Sequence, residues 1–410
     1  MGELFAKLDQ FPVTLKAWIM GVLQGVLPEW TLVLVSAVLS ITPILAVFPL
    51  MFALTTVIER KGLGRIQNRL GPNRVGIPLT DIRLFGFGQF IADGIKSLIK
   101  EDVVPRAADK VVHFIAPIAL LIPVLLTYSV LPFGRNMVPL DLPQTGLLFF
   151  FAVGASTELS VFMAGWSSRN KYSLLGAMRA IAQMVSYEIP LILSALTVVM
   201  MAGTLSLTGI VESQAELKFG FLYTWHLFTP WGLVGFFLFL TAAAAEANRT
   251  PFDLPEAESE IIAGYFTEYS GFKFAIFFLA EYLGLFAMCG LGITLFLGGW
   301  LPPVKLAPFT WIPSWCWFLG KLSALIVLFI WLRGTLPRLR TDQLMGFAWK
   351  FLLPMTLINL VVAALWHLSG GAVPMLIRWA VGFVLLAVPY WLFGRGFEAK
   401  FTKREYRFAN

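Results

Sequence analysis

Residues 232–260 read GLVGFFLFLTAAA and then, without a break, AEANRTPFDLPEAESE. The first part is an uncharged apolar run suited to lipid. The second holds five acids, Glu246, Asp253, Glu256, Glu258 and Glu260, in a chain with 24 acids in 410 residues. Pro251 and Pro255 prevent one continuous helix through them, so the acids are held in a folded loop at the mouth of a membrane segment. Their repulsion is expected to be offset by Arg249, by neighbouring basic loops or by bound protons. A merely solvated acidic loop would have no need of Phe252 and two prolines among its charges.

The rest of the composition agrees with a membrane setting. The chain is 58% hydrophobic and 13% charged, with a mean hydropathy of +0.77, whereas a soluble domain carries about 25% charged residues. The fold class expected is all-α, a polytopic membrane protein. Cys289 and Cys316 are the only cysteines, so no disulfide framework or iron–sulfur ligand set is expected. His113, His226 and His367 are scattered near the ends of apolar runs and suit structural positions at the interface better than a metal site. Residues 1–30 read as a retained interfacial segment, because no small-residue cleavage site follows AWIMGVLQGVL.

A bilayer core of ~30 Å takes about 20 apolar residues in a helix. Such runs lie near 31–58, 111–131, 145–165, 181–201, 228–247, 274–297, 316–335, 350–366 and 377–393, which predicts about nine transmembrane helices. The fourth contains Glu188 and Pro190 and the eighth contains Pro354 and Asn359, so both should face protein and not lipid. Segment 59–110 carries ten Lys or Arg, and further basic residues sit in 166–180, 248–273 and 336–350. All four stretches follow odd-numbered spans. The positive-inside rule then puts the N-terminus outside and the C-terminus in the cytoplasm. The net charge of +7 is mostly this topology signal, and no nucleic-acid partner is expected.

Segment 59–110 is too rich for a plain loop. Its FGQFIADGIKSLIKED spaces Phe87, Phe90, Ile91, Ile95, Leu98 and Ile99 as on one helix face, with Asp93, Lys96 and Lys100 between them. That is an amphipathic helix lying in the membrane interface, either a lipid anchor or a gate where a greasy ligand meets charge. Elsewhere Glu158, Glu188, Glu246 and Glu281 fall within apolar runs. Each costs ~2.5–3.5 kcal/mol to insert. One such residue is readily explained as a partner for an arginine; four on different helices point to proton transfer, given water between them.

Five stretches carry a resemblance to a known family: ERKGLGRIQNRLGPNRVG, QFIADGIKSLIKED, AGWSSRNKYSLLGAMRAIAQMVSYE, AEANRTPFDLPEAESEIIAGYFTEYSGFKFAIFFLAEY and RGTLPRLRTDQLMGFAWKFLLP. In these the chain resembles the H subunit of proton-pumping NADH–quinone oxidoreductase, respiratory complex I, over roughly residues 31–366. The resemblance implies a membrane subunit of a translocase with no flavin, haem or iron–sulfur cluster of its own. The substrate it implies is a quinone, ubiquinone or menaquinone. Arg60, Asp93, Lys96 and Phe252 would line the quinone chamber. Glu59, Glu158, Glu188, Glu246, Arg249, Asp253, Glu256, Glu258, Glu260 and Glu281 would belong to a glutamate-rich proton path. Implied partners are peripheral-arm iron–sulfur and quinone-site subunits, small membrane subunits, antiporter-like subunits, membrane lipid and the quinone, in a bacterial cell membrane.

The physics fits that implication. A unit charge appearing on a quinone ~8 Å from a carboxyl, at an effective dielectric of ~20, is worth ~2 kcal/mol, enough to change a poised group's protonation. Two features depart from the family pattern. Residues 1–30 and 367–410, the latter with a ninth helix and a basic tail, extend beyond shorter members, and Phe266 stands where histidine is often expected. Two other readings compete. A stand-alone secondary proton or cation transporter would need an inverted repeat, and the acidic hinge occurs once. A membrane anchor for a hydrogenase-type complex leaves four intramembrane glutamates without a purpose.

Overall fold

The computed structural model describes residues 2–24, 28–76, 83, 85–218, 222–254, 263–369 and 374–395. Pro255, Glu256, Glu258, Glu260 and the basic tail beyond Arg395 lie outside the described residues.

Among the described residues, nine apolar helices correspond one for one with the predicted spans. They are α2 (Glu29–Ile66), α4 (Lys110–Thr127), α5 (Gly146–Ser167), α6 (Lys171–Ala202), α8 (Pro230–Glu246), α9 (Gly271–Phe296), α10 (Ser314–Thr335), α11 (Thr341–Leu368) and α12 (Met375–Arg395). Shorter or flanking helices accompany them: α1 (Gly2–Leu23), the amphipathic α3 (Gln89–Ile99) and α7 (Leu207–Ser213). Leu217–Lys218 and Leu222–Tyr223 form a two-residue antiparallel ladder.

Local chemistry sets the helix starts. Asp109 caps α4 by accepting from the amides of Val111 and Val112, and Asn170 caps α6 through Tyr172. Thr229 accepts from Gly232 N and Pro230 occupies the first turn of α8, where its missing N–H costs nothing. Gly203, at φ +69°, ends α6 in the left-handed conformation that glycine adopts freely.

Boundaries differ from the apolar runs in an instructive way. The ERK triplet at 59–61 does not close α2; the helix continues through charged sequence to Ile66. Likewise α6 begins ten residues before its apolar run, at Lys171. A helix satisfies its own backbone, so leaving the lipid gives it no reason to stop. At 38 residues α2 is ~57 Å long at 1.5 Å per residue, against ~40–45 Å for a bilayer with its headgroups. Pro43 and Pro49 lie within it.

Enclosure rises towards the middle of the bundle. α9 is the most enclosed of the long helices, while α2 and α12 lie at the edge. α9 packs on α4, α8, α10 and α2, and α6 packs on α5, α8 and α11. Close approach relies on small residues. A Cβ on Gly176 of α6 would sit 2.7 Å from Gly264 Cα, and one on Gly292 would sit 3.0 Å from the Phe239 ring. The fourth and eighth predicted spans do face protein: Pro190 is buried, and Asn359 has no exposed surface.

Both ends of the chain's helical part are tied in. Asp9 of α1 accepts from Ser314 N and Oγ, each at 2.6 Å, at the start of α10, and Lys16 donates to Ser40 at 2.6 Å. At the far end, Arg378 of α12 donates to Ser369 Oγ at 3.1 Å and lies 4.3 Å over the Trp366 ring. Lys321 of α10 donates to the carbonyls of Leu297, Gly299 and Leu301 at 2.6–2.9 Å, holding the turn that follows α9.

Candidate functional site

Of the charged residues singled out in the sequence, Glu59, Arg60, Asp93, Arg249 and Asp253 gather where α2, α9, α10 and α11 meet the hinge after α8. The amphipathic α3 lies beside them. Arg60 Nη1 bonds Asp93 Oδ2 at 2.6 Å, joining α2 to α3, and Gln89 donates to the other Asp93 oxygen at 2.7 Å. Lys96 follows one turn later, exposed. Lys61 bonds the Phe85 carbonyl and lies 5.1 Å over the Phe87 ring. None of the α3 side chains is buried; Ile91, Ile95 and Leu98 form an apolar stripe open to the surroundings.

One residue inward the setting changes. Glu59 is 6% exposed and accepts from Tyr282 Oη at 2.6 Å and from the Arg333 guanidinium. The Arg249 guanidinium lies 3.8 Å over the Tyr282 ring. Arg60, Glu59, Tyr282 and Arg249 thus form a contiguous chain, and Phe252 N continues it by bonding Arg249 O at 2.8 Å. Hydropathy missed Tyr282 and Arg333 as partners of Glu59. The available signal was that Arg333 sits at the charged end of an apolar run and that Tyr282 adjoins the intramembrane Glu281.

The described part of the acidic hinge is folded inward. Asp253 is 2% exposed and pairs with Arg338 at 2.9 Å. Leu339 N bonds Pro251 O at 3.2 Å. A neighbouring basic loop therefore offsets hinge charge, as expected. Gln183 of α6, a residue the sequence did not flag, supplies the amide that organises the bend. Its Nε2 reaches Ala245 O at 2.7 Å, Phe252 O at 2.6 Å and Asn248 Oδ1 at 3.2 Å. Phe252 is 5% exposed, its ring between Tyr187 (5.4 Å) and Phe347 (6.3 Å).

Behind the hinge is a cavity of about 70 Å³, lined by Glu246, Asn248, Tyr265, Glu281, Thr127 and Thr157 among apolar groups. That volume exceeds what one water requires several times over. Glu246 Oε2 is buried with no hydrogen-bond partner among the described residues, and the same holds for Glu158 Oε1. Glu158, Glu188 and Glu246 lie within Coulomb range of one another. The structure thus brings Glu246 and Glu281 to one cavity and places Glu158 and Glu188 nearby on α5 and α6.

Phe266, in the place where histidine was expected, packs among Tyr265, Phe274 and Phe277. His113 stacks on Tyr269 at 4.0 Å and His226 lies 5.3 Å from Trp231, so both have structural surroundings. Among the described residues no three His, Cys, Asp or Glu side chains converge to hold a metal ion.

The profile of the NADH dehydrogenase family matches residues 39–364. The chain belongs to the H-subunit family of the NADH-quinone oxidoreductases. It is 51% identical over 307 residues to the H subunit of NADH-quinone oxidoreductase from Dehalococcoides mccartyi, covering 75% of this chain and 80% of that one. It is 49% identical over 306 residues to the protein of the same name from Geobacillus kaustophilus, covering 75% and 86%. The Bacillus cytotoxicus protein is 49% identical over 307 residues, covering 75% and 86%. As a member of the H-subunit family, the chain is a membrane subunit of an oxidoreductase complex. The stretch matched by the family profile includes every site residue described above, whereas α1 and α12 lie outside it.

Proposed function

We propose that this chain forms the membrane wall of a quinone-reduction chamber and that its buried glutamates couple quinone reduction to proton movement. The observation that carries the reading is the shared cavity of Glu246 and Glu281, with a Glu246 oxygen left without a partner among the described residues. A buried carboxyl beside space for water is equipped to take and release a proton. The relatives are named for quinone oxidoreduction, and this supports quinone as the substrate.

In this reading the quinone tail passes the apolar stripe of α3, and its polar end approaches Arg60, Asp93 and Lys96. Phe252 backs the chamber from the hinge. Negative charge arising on the quinone acts through Glu59, Tyr282 and Arg249 on the hinge acids. Glu246, Glu281, Glu158 and Glu188 relay protons towards neighbouring membrane subunits. Arg249, Asp253 and the hinge acids Glu256, Glu258 and Glu260 belong to the same path. The electrons come from an iron–sulfur partner, and the chain sits in a bacterial cell membrane with its N-terminus outside and its C-terminus in the cytoplasm.

The test is substitution in the assembled complex. Glu246→Gln should abolish or strongly reduce proton pumping and quinone reductase activity together. Arg60→Ala should raise KM for quinone. Undiminished activity and pumping in both variants would refute the assignment.

A further inference from the structure

Helix α11 is not regular. Between Thr341 and Leu368 it contains a π-helical turn, Ala348–Leu352. A π turn adds a residue to the helix; such turns are rare and occur frequently at functional sites. Here its flanks are aromatic. Phe347 stacks on Phe351 at 5.2 Å and, on its other side, on Phe252 of the hinge at 6.3 Å. Phe351 is 8% exposed and meets the ring of Tyr390 edge-on at 5.4 Å.

Tyr390 belongs to α12, beyond the family match. α12 is fastened at more than one height. Arg378 grips Trp366 and Ser369, Gly382 lies against Pro230, Leu386 is buried at 3% exposure, and Tyr390 reaches the π turn. A helix held only by lipid would not place a glycine, a buried leucine and an arginine clamp on one side. An unbroken line of rings therefore runs from α12 to the hinge: Tyr390, Phe351, Phe347, Phe252.

We propose that α12 is a positioning element for the quinone site: Tyr390, through Phe351, holds the π turn in the register that keeps Phe347 behind Phe252. Reverting the π turn to α geometry would rotate the preceding segment by about 100°, the turn of one residue, and carry Phe347 off Phe252. The inference rests on the reading of Phe252 as a chamber residue, and it adds to that reading a part of the chain outside the family match.

The experiment uses the whole complex with Tyr390→Ala, Tyr390→Phe and Phe252→Leu. Steady-state kinetics with a short-chain quinone are paired with the ¹⁹F resonance of 4-fluorophenylalanine introduced at position 252. Tyr390→Ala should shift that resonance and raise quinone KM roughly two- to tenfold, the range an aromatic pair carries, with kcat little changed; Tyr390→Phe should restore both. An unmoved resonance in Tyr390→Ala overturns the relay. A shifted resonance with unchanged KM, in a complex where Phe252→Leu does raise KM, overturns the positioning role. If Phe252→Leu leaves KM unchanged, the chamber reading of Phe252 falls and the positioning role for the quinone site falls with it, while the resonance still decides whether the ring line exists.

Discussion

The hydroxyl of Tyr282 donates to Glu59 at 2.6 Å and joins α9 to α2 across 223 residues of sequence. With Arg333 on the same carboxylate, it makes Glu59 the meeting point of three helices. Removing one partner tests how much each contributes. Tyr282→Phe deletes a hydrogen bond to a charged group, worth ~1.5–3 kcal/mol. Arg333→Ala leaves a buried carboxylate short of its counter-ion, at a cost of ~3–5 kcal/mol, reduced towards the lower end because Arg333 is 30% exposed. Thermal inactivation of the purified complex should rank Arg333→Ala below Tyr282→Phe, and both below the parent. An unchanged midpoint for Arg333→Ala would contradict the buried-pair account.

Gln183 holds the hinge by a single amide. In Gln183→Leu the carbonyl of Phe252 loses its donor, at ~1–3 kcal/mol for a buried acceptor left unpaired, while the carbonyl of Ala245 keeps the amide of Asn248 at 3.2 Å. The hinge should loosen while the spans stay packed. Assembly should persist, with a lower inactivation temperature and reduced quinone turnover. Equal turnover at equal stability would show that the hinge does not depend on this side chain.

Gly176 is a contact of backbone with backbone. A methyl group there would meet Gly264 Cα at 2.7 Å, Gly264 C at 2.9 Å and Tyr265 N at 3.0 Å. None of these atoms is the end of a flexible side chain. Gly176→Ala should cost at least the ~1–3 kcal/mol of an overpacked core, read as lost assembly in native gels. Gly320→Ala, where a Cβ meets nothing within 4 Å, is the matched control and should assemble normally.

His226 lies ahead of α8, outside the spans, and burial pushes its pKa down to about 4 from 6.5. Above pH 6.5 the ring is neutral in folded and unfolded chains alike, and its contribution is intact. As pH falls from 6.5 towards 4, the unfolded chain takes up a proton that the folded chain refuses, and stability is lost, at most ~3 kcal/mol. His226→Phe should flatten the fall in stability over that window, measured as inactivation temperature against pH. A parallel fall in variant and parent would remove His226 as its cause.

The spans were legible because lipid leaves the backbone few options. Long apolar runs must be helices, and basic residues mark their ends. Even the two runs with misplaced polar groups, around Pro190 and Asn359, announced that they face protein. What hydropathy could not supply was pairing at long range. Nothing near Glu59 names Tyr282 or Arg333, and nothing near Phe252 names Gln183, because those partners are chosen by helix packing. Helix length was misjudged at α2 and α6 for a related reason: apolarity ends at the lipid boundary, but helical hydrogen bonding does not. The π turn in α11 left no mark beyond a proline at 354.

The two prolines of α2 divide it into parts with different attachments. The N-terminal part is tied to α1 by Lys16 and Ser40; the C-terminal part is tied to α3, α9 and α10 by Glu59 and Arg60. Pro43 and Pro49 each withhold a backbone bond from the stretch between. The longest helix of the bundle is thus a mast whose backbone is weakest at mid-height and whose foot is moored on the carboxylate.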